Sequence, residues 1–380
     1  MIKRSAWPMR RALITTVLAI ITICVLLADD ASAHPAWGIA VDRQGQIYFS
    51  DLETIWKIDA QGKLTIFRAG VSGRHTHELT IDEDGNLYGD ELSYEPATQR
   101  YIAALWKMTP AGSFTYTLAP TDNPPKGMSI WRDRDGNTYS ASWKSNAEHE
   151  TIILRRTPGG KVTTLFGSPE VADKFRQVVL YSLGGMAFSG DGSLYVADGA
   201  NIRKVTTAGV VTTSSRNLAP ENASDNSAGK NAVTRLLGIA TDTQGNLFAA
   251  DHDNRRVLKI TPDGKVTTLI SAEQSWSPTG VTFKNGNLYI LEFGTASQGT
   301  PTPRVRKLSS DGKVTVIATV GENGNTAASE SSTSETAKPL VEPKPSAPYA
   351  LLIAGLSTFV LIIAIWRVRR KTTPTQRLKH

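Results

Sequence analysis

The sequence predicts an all-β fold, a six-bladed β-propeller, because two marker series recur in the same order along the chain. In the first, a lysine or arginine is followed five residues later by glycine: Lys57…Gly62, Lys107…Gly112, Arg155…Gly160, Lys204…Gly209, Lys259…Gly264 and Lys307…Gly312, at spacings of 48 to 55 residues. The second lies upstream, where a residue three positions before a glycine precedes an apolar or Thr residue and an aromatic one. Its copies are Asp42…Gly45 with Ile47-Tyr48, Asp82…Gly85 with Leu87-Tyr88, and Asp133…Gly136 with Thr138-Tyr139. Ser189…Gly192 with Leu194-Tyr195, Asp242…Gly245 with Leu247-Phe248, and Phe283…Gly286 with Leu288-Tyr289 complete the set. A period of this length marks stacked units that cannot bury an apolar face alone.

Each unit reads as four antiparallel strands. A short run such as Gly38-Ile39-Ala40-Val41 or Gly238-Ile239-Ala240-Thr241 is the first, and the aromatic pair opens the second. Ile55–Ile58 and its counterparts form the third; the fourth follows the marker glycine, as in Lys161-Val162-Thr163-Thr164-Leu165 and Lys265-Val266-Thr267-Thr268-Leu269. These runs are rich in β-branched and aromatic residues and end at Asp-Gly and Asn-Gly turns, the pattern of hairpins. Radial repetition of such units hides most sheet edges. The units begin near Gly38, Glu78, Gly127, Gly185, Gly238 and Gly280. No spare strand precedes Gly38, so the last blade is expected to pack on the first without exchanging a strand.

The paired motifs, best kept in 238–269 and 185–213, resemble the NHL-repeat propellers over roughly residues 35–320. The resemblance implies the fold and transfers no activity, since one fold carries many functions.

Outside the propeller, assigned to 34–320, the two ends read as targeting and topology. Residues 1–33 carry Lys3, Arg4, Arg10 and Arg11, then an apolar stretch and Ala31-Ser32-Ala33. That is the form of a secretory signal peptide cleaved before His34, with an uncleaved anchor as the alternative. Cys24, the only cysteine, lies inside it behind Ile23, too large for a lipoprotein cleavage site, so the mature chain would hold no thiol. Residues 321–347 are rich in Ser, Thr, Ala, Glu and Pro, the composition of a flexible tether. An uncharged apolar run follows at 348–366, with Tyr349 and Trp366 suited to the two interfaces, and the tail 367–380 opens with Arg367, Arg369, Arg370 and Lys371. This reads as one membrane-spanning helix with its basic tail in the cytoplasm and the propeller outside. A processed sorting tail is the alternative: 341–380 resembles bacterial PEP-CTERM tails, without their Pro-Glu-Pro core.

A net charge of +7 invites a nucleic-acid reading, and its distribution defeats it. The propeller holds 30 of the 42 Lys and Arg and 29 of the 35 Asp and Glu, so no global field draws in DNA or RNA.

Connections between strands one and two, and three and four, are short in nearly every unit. Those between strands two and three vary: the marker-to-marker span is 12 residues in the first and fourth units, but 22, 19 and 21 in the second, third and sixth. Length variation confined to one face marks it as the functional face. Polar residues expected around its axial mouth are His75, His77, Glu78, Asp90, Glu91, Trp143, Asn201, Asp251, His252, Asn254 and Glu292. Asp51, Asp90, Asp198, Asp251 and Glu292 are read as one recurring position, which Ser142-Trp143 takes in the third unit. An Asp there also caps tight turns by accepting backbone N–H groups, so capping stands beside binding for this set. His75-Thr76-His77-Glu78 departs most from the repeat, because Glu78 stands where sister units carry glycine. Its imidazoles, with His77, Glu78 and Asp90 foremost, are the candidates for a divalent metal such as Zn²⁺ or Ca²⁺, although no cofactor is firmly implied.

Three functions fit. A tethered module binding a polar ligand or a protein partner needs only scaffold, loops and anchor. A metal-dependent hydrolase is the second, because Gly45-Gln46-Ile47-Tyr48-Phe49-Ser50-Asp51 and Trp56-Lys57-Ile58-Asp59 resemble the first blade of the SMP-30/gluconolactonase propellers. That family's metal-binding Glu falls at Ala36-Trp37-Gly38, and its later Asp falls at Gly238 or Gly280, so two implied ligands are missing. A metal lyase is the third, since His77 before Glu78-Leu79-Thr80-Ile81 resembles a zinc-ligand position of the peptide-amidating lyases; His149 and His252 do not match the others. No Gly-x-Ser-x-Gly element or other nucleophile motif is present, which leans against an enzyme.

Overall fold

The computed structural model describes residues 35–143, 151–166, 183–216, 218, 234–295 and 301–321. Leader, span and tail lie outside the described residues, as does the tether beyond Gly321.

Six antiparallel sheets follow one another along the chain. The first is β1 (Ile39–Val41), β2 (Ile47–Ser50), β3 (Ile55–Ile58) and β4 (Leu64–Arg68), hydrogen-bonded in that order. The second holds β5 (Arg74–His75), β6 (Leu79–Ile81), β7 (Leu87–Glu95), β8 (Arg100–Met108) and β9 (Phe114–Thr121), with β5 and β6 both paired to β7. The third has β10 (Thr138–Trp143), β11 (Thr151–Arg156) and β12 (Val162–Phe166). Its inner strand is reduced to the bridge Arg132↔Thr138 and the Tyr139 N–H donated to the Trp131 carbonyl. β13 (Leu183–Phe188), β14 (Leu194–Asp198), β15 (Asn201–Val205) and β16 (Val211–Ser215) form the fourth. β17 (Leu236–Thr241), β18 (Leu247–Asp251), β19 (Arg256–Ile260) and β20 (Val266–Ser271) form the fifth. The sixth is β21 (Trp276–Lys284), β22 (Asn287–Thr295), β23 (Pro301–Leu308) and β24 (Val314–Thr319). The ring closes by packing alone: Phe49, Trp56 and Ile58 share a buried cluster with Leu291, Phe293 and Val305, and no strand is exchanged among the described residues.

Both marker series find their cause in one cross-strand arrangement. The aromatic of strand two stands directly opposite the Lys or Arg of strand three: Tyr48↔Lys57, Tyr88↔Lys107, Tyr139↔Arg155, Tyr195↔Lys204, Phe248↔Lys259 and Tyr289↔Lys307. The ammonium groups of Lys57, Lys107, Lys204 and Lys259 lie 5.5–5.9 Å from those ring centroids, within cation–π range. The upstream Asp serves two partners. In Asp42, Asp82 and Asp133 one oxygen accepts the backbone N–H four residues on, closing the turn; the other accepts the Tyr hydroxyl at 3.3, 3.1 and 2.8 Å. Burial, then the Asp42 charge, push the Tyr48 hydroxyl up to about 12.

Glycine sets how closely the inner strands approach. A Cβ on Gly38 would meet the Leu79 backbone at 2.7 Å, on Gly184 the Leu236 carbonyl at 2.2 Å, on Gly238 Gly280 Cα at 2.7 Å, and on Gly280 the Trp37 carbonyl at 2.3 Å. Two expectations change here. Gly127 is not the third member of this ring: it sits in a turn at φ +77°, and Ser129, four residues before Asp133 as Gly38 is before Asp42, takes that place. The long span of the second unit is also not a loop. Leu87–Glu95 pairs with Arg100–Met108 as a nine-residue hairpin, whose base has one buried side in which Leu87, Gly89 and Glu91 stand opposite Met108, Trp106 and Ala104.

Gly280→Ala should lower thermal stability, by roughly 1–3 kcal/mol as overpacking does, because the added methyl would lie 2.3 Å from the Trp37 carbonyl oxygen, a backbone atom. Gly190→Ala, with nothing within 4 Å of the added methyl, is the matched control. Equal melting temperatures for the two variants would show that the inner ring is not close-packed.

Candidate functional site

The inner strand of the second blade breaks where the sequence departs from the repeat. β5 and β6 pair with β7 in registers one residue apart, so Thr76-His77-Glu78 stands opposite only Asp90-Glu91, a bulge. Asp90 repairs the interrupted ladder: its Oδ1 accepts the backbone N–H of His77 and of Glu78, each at 2.8 Å, and its carbonyl accepts Thr76 Oγ1. Similar register shifts occur at Leu183/Met186, Leu236/Ile239 and Pro278/Gly280. The bulge is therefore a property of the repeat, and its decoration with Glu78 and Asp90 belongs to this blade.

Glu78 is held by two indoles. Trp37 Nε1 donates to Oε1 at 3.0 Å and Trp131 Nε1 to Oε2 at 2.6 Å, so residues from the entries of the first and third blades converge on one carboxylate. Trp37 also lies beside the His77 ring at 5.6 Å and comes within 3.4 Å of where a Cβ of Gly185 would be. His77 Nδ1 is 3.4 Å from Asp90 Oδ2, and the His75 ring is 6.0 Å from that of His77. Burial of Glu78, then the charge of Asp90, push its carboxyl up to about 7, against the two indole donors and His77. For His77, burial favours the neutral ring, but the hydrogen bond and charge of Asp90, with Glu78, prevail and hold its pKa above the ordinary value.

Beside this cluster a cavity of about 230 Å³ opens between the second, third and fourth blades. Glu78, Asp90, Ser129 and Ser140 give it polar atoms, and Leu105, Met128, Ile130 and Met186 give it apolar wall.

The other expected site residues divide differently. The repeated acidic position lies three residues past the aromatic, so its second-blade member is Glu91 and not Asp90. Asp51 caps, as its turn position implied: Oδ1 accepts Glu53 N and Thr54 N, and Oδ2 accepts Trp56 Nε1. The rest are matched by arginine. Glu91 pairs with Arg68 and Arg74, Asp198 with Arg203 at 2.8 Å, Asp251 with Arg256 at 2.8 Å, and Glu292 with Arg304 at 2.6 Å and Arg306 at 3.2 Å. Asp251 and Glu292 are wholly buried and Glu91 nearly so, which makes these carboxylates bonds between strands and blades, not mouth groups. Asn254 donates to Asp251, and His252 leans on Asp253 at 3.2 Å, away from the His77 cluster. Asn201 faces Asp198 across the strand pair. Trp143 ends β10 opposite Thr151, and its side chain lies outside the described residues, as does His149. Trp37, Trp131 and Ser129 were not among the expected residues; the tryptophan immediately before Gly38, matching His77 before Glu78, was the available signal.

The donor set does not fit a divalent metal. Both Glu78 oxygens accept indole N–H groups, Asp90 Oδ1 accepts two amides, and no group of three or more His, Cys, Asp or Glu among the described residues is arranged to hold an ion.

No protein-family model and no curated protein matches the chain. Among solved structures it is similar to virginiamycin B lyase from Staphylococcus aureus, at 17% identity over 74% of this chain and 83% of that one, TM-score 0.42. It is likewise similar to a gluconolactonase from Xanthomonas campestris (15%, 68% and 83%, TM-score 0.42). Regucalcin, a calcium-binding protein from Agrobacterium tumefaciens, gives 16%, 68% and 81%, TM-score 0.41. Likeness at this level assigns no chemistry. The chain's own six sheets make it a six-bladed propeller in architecture.

Because folded Glu78 keeps its proton to about pH 7 while the unfolded carboxyl loses it near 4.5, the wild type should lose stability as pH rises through that window. Glu78→Gln removes the titration; its amide leaves one indole N–H unpaired at every pH, a constant offset. Thermal melts of both from pH 4 to 8 check the point. A wild-type-minus-variant difference that stays flat would mean that Glu78 titrates as an ordinary carboxylate.

Proposed function

We propose that the chain is an extracytoplasmic propeller, anchored by its C-terminal apolar segment, that binds a small polar ligand at the axial mouth between its second, third and fourth blades. One observation carries this: Glu78 replaces the glycine or serine of its sister strands, two indoles fix it, and it borders a cavity that the arginine-matched carboxylates do not reach. Buried carboxylates elsewhere in the ring are neutralised and structural; this one is held in place and left open on one side. The anchor rests on 348–366 followed by Arg367, Arg369 and Arg370.

A second function is favoured by a separate observation. Glu78, pushed up to about 7 by burial and then the charge of Asp90, stands next to His77, whose pKa is held above its ordinary value, so a proton donor and acceptor adjoin, the requirement for general acid–base catalysis. An enzyme of the lyase or hydrolase type is the alternative to a binding module. Its proton transfers would be made by Glu78 and His77.

Thermal-shift measurements on the full chain with small amines, carboxylates and sugars, and with Zn²⁺, Mg²⁺ and Ca²⁺ as separate arms, test the site. Ligands that stabilise the wild type should not stabilise Glu78→Gly. An undiminished response in that variant would move the site elsewhere. In sealed membranes, protease added to the cytoplasmic side should leave the propeller intact; its digestion there would overturn the orientation.

A further inference from the structure

Building on the proposed axial binding site, we propose that its cavity takes a small organic ammonium ion, its charged head between Glu78 and Asp90 and its alkyl part against Leu105, Met128, Ile130 and Met186. The first argument is charge. Each carboxylate of the recurring position in the second, fourth, fifth and sixth blades has an arginine partner: Glu91 with Arg68 and Arg74, Asp198 with Arg203, Asp251 with Arg256, Glu292 with Arg304 and Arg306. Glu78 and Asp90 repel one another and have no Lys or Arg partner among the described residues, only His77 at 3.4 Å from Asp90. The cavity wall carries no cationic side chain. Two acidic groups are thus gathered at one void without the arginine that the second, fourth, fifth and sixth blades each supply to the recurring carboxylate.

The second argument is shape and donor count. An alkylammonium offers up to three N–H donors, and the cavity offers the remaining lone pairs of Glu78 and Asp90 with the hydroxyls of Ser129 and Ser140. The rest of the wall is a leucine, an isoleucine and two methionines, surface that a hydrated metal ion does not use and an alkyl group does. The indoles of Trp37 and Trp131 point their N–H groups at Glu78, fixing the carboxylate in place before anything binds. A volume of about 230 Å³ suits a ligand of a few heavy atoms.

Calorimetric titration of the full chain in detergent with n-butylammonium, butyrate and n-butanol separates the possibilities. The expected result is one-to-one binding of n-butylammonium alone, at least tenfold weaker in Glu78→Gln and in Asp90→Asn, whose amide oxygen still accepts the two backbone N–H groups. Met128→Trp, which fills the cavity without touching a charge, should abolish binding at an unchanged melting temperature. It carries the test if a carboxylate variant fails to fold. If butyrate or butanol binds as well and Met128→Trp blocks it, the ammonium assignment falls while the axial site stands. If n-butylammonium binds equally well to Met128→Trp, or none of the three binds, the inference is overturned; the broader ligand panel then judges the site by itself.

Discussion

The closeness of the inner strands is the constraint on which the structure turns. Around the axis, blade one reaches blade two through Gly38, blade four reaches five through Gly184, five reaches six through Gly238, and six reaches one through Gly280, each with a backbone atom where a methyl would be. In these four contacts the ring is sealed by backbone against backbone. The second and third blades break the series, with Glu78 and Ser129 at the corresponding place. There the strands bear side chains, and there the cavity opens. The site is thus the consequence of two missing glycines, and the rigidity of the other four contacts holds it in shape.

That origin explains what could be read from the residues and what could not. Blade number, strand order and turns were legible because one arrangement, an aromatic opposite Lys or Arg with an Asp beneath it, has to be rebuilt in each blade. Glu78 was legible for the converse reason: it violates that repetition. Asp90 and Glu91 separate only on a strict count from the aromatic: alternation along β7 sends neighbours to opposite sides, and it is Glu91, three residues past Tyr88, that meets Arg68. Trp37 and Trp131 escaped notice since they meet Glu78 from 41 and 53 residues away, across an axis that exists only once the ring has closed.

Charge is organised by the same geometry. The acidic side chain three residues past the aromatic in five blades is buried or half-buried, and a dry carboxylate without a partner is strongly unfavourable. The chain answers with arginine in four blades, and in the first blade with a turn and the Trp56 indole. Such pairs replace water with a fixed partner, and removing one member strands the other. They bind blades together and leave little for a ligand.

Glu78 is answered differently. Indole N–H groups satisfy oxygen lone pairs but carry no charge, so they orient the carboxyl group without supplying a counter-charge, and burial, then the charge of Asp90, keep its proton on to about pH 7. An arrangement chosen for stability alone would place an arginine here or keep the glycine, as the fold does with arginine beside the recurring carboxylate in four blades and with glycine at four inner-strand contacts. Local conflict of this kind, in a frame otherwise consistent from turn to core, is where function is to be sought. The unneutralised pair and the space beside it are two aspects of one choice: the missing glycine makes the room, and the missing arginine leaves it negative.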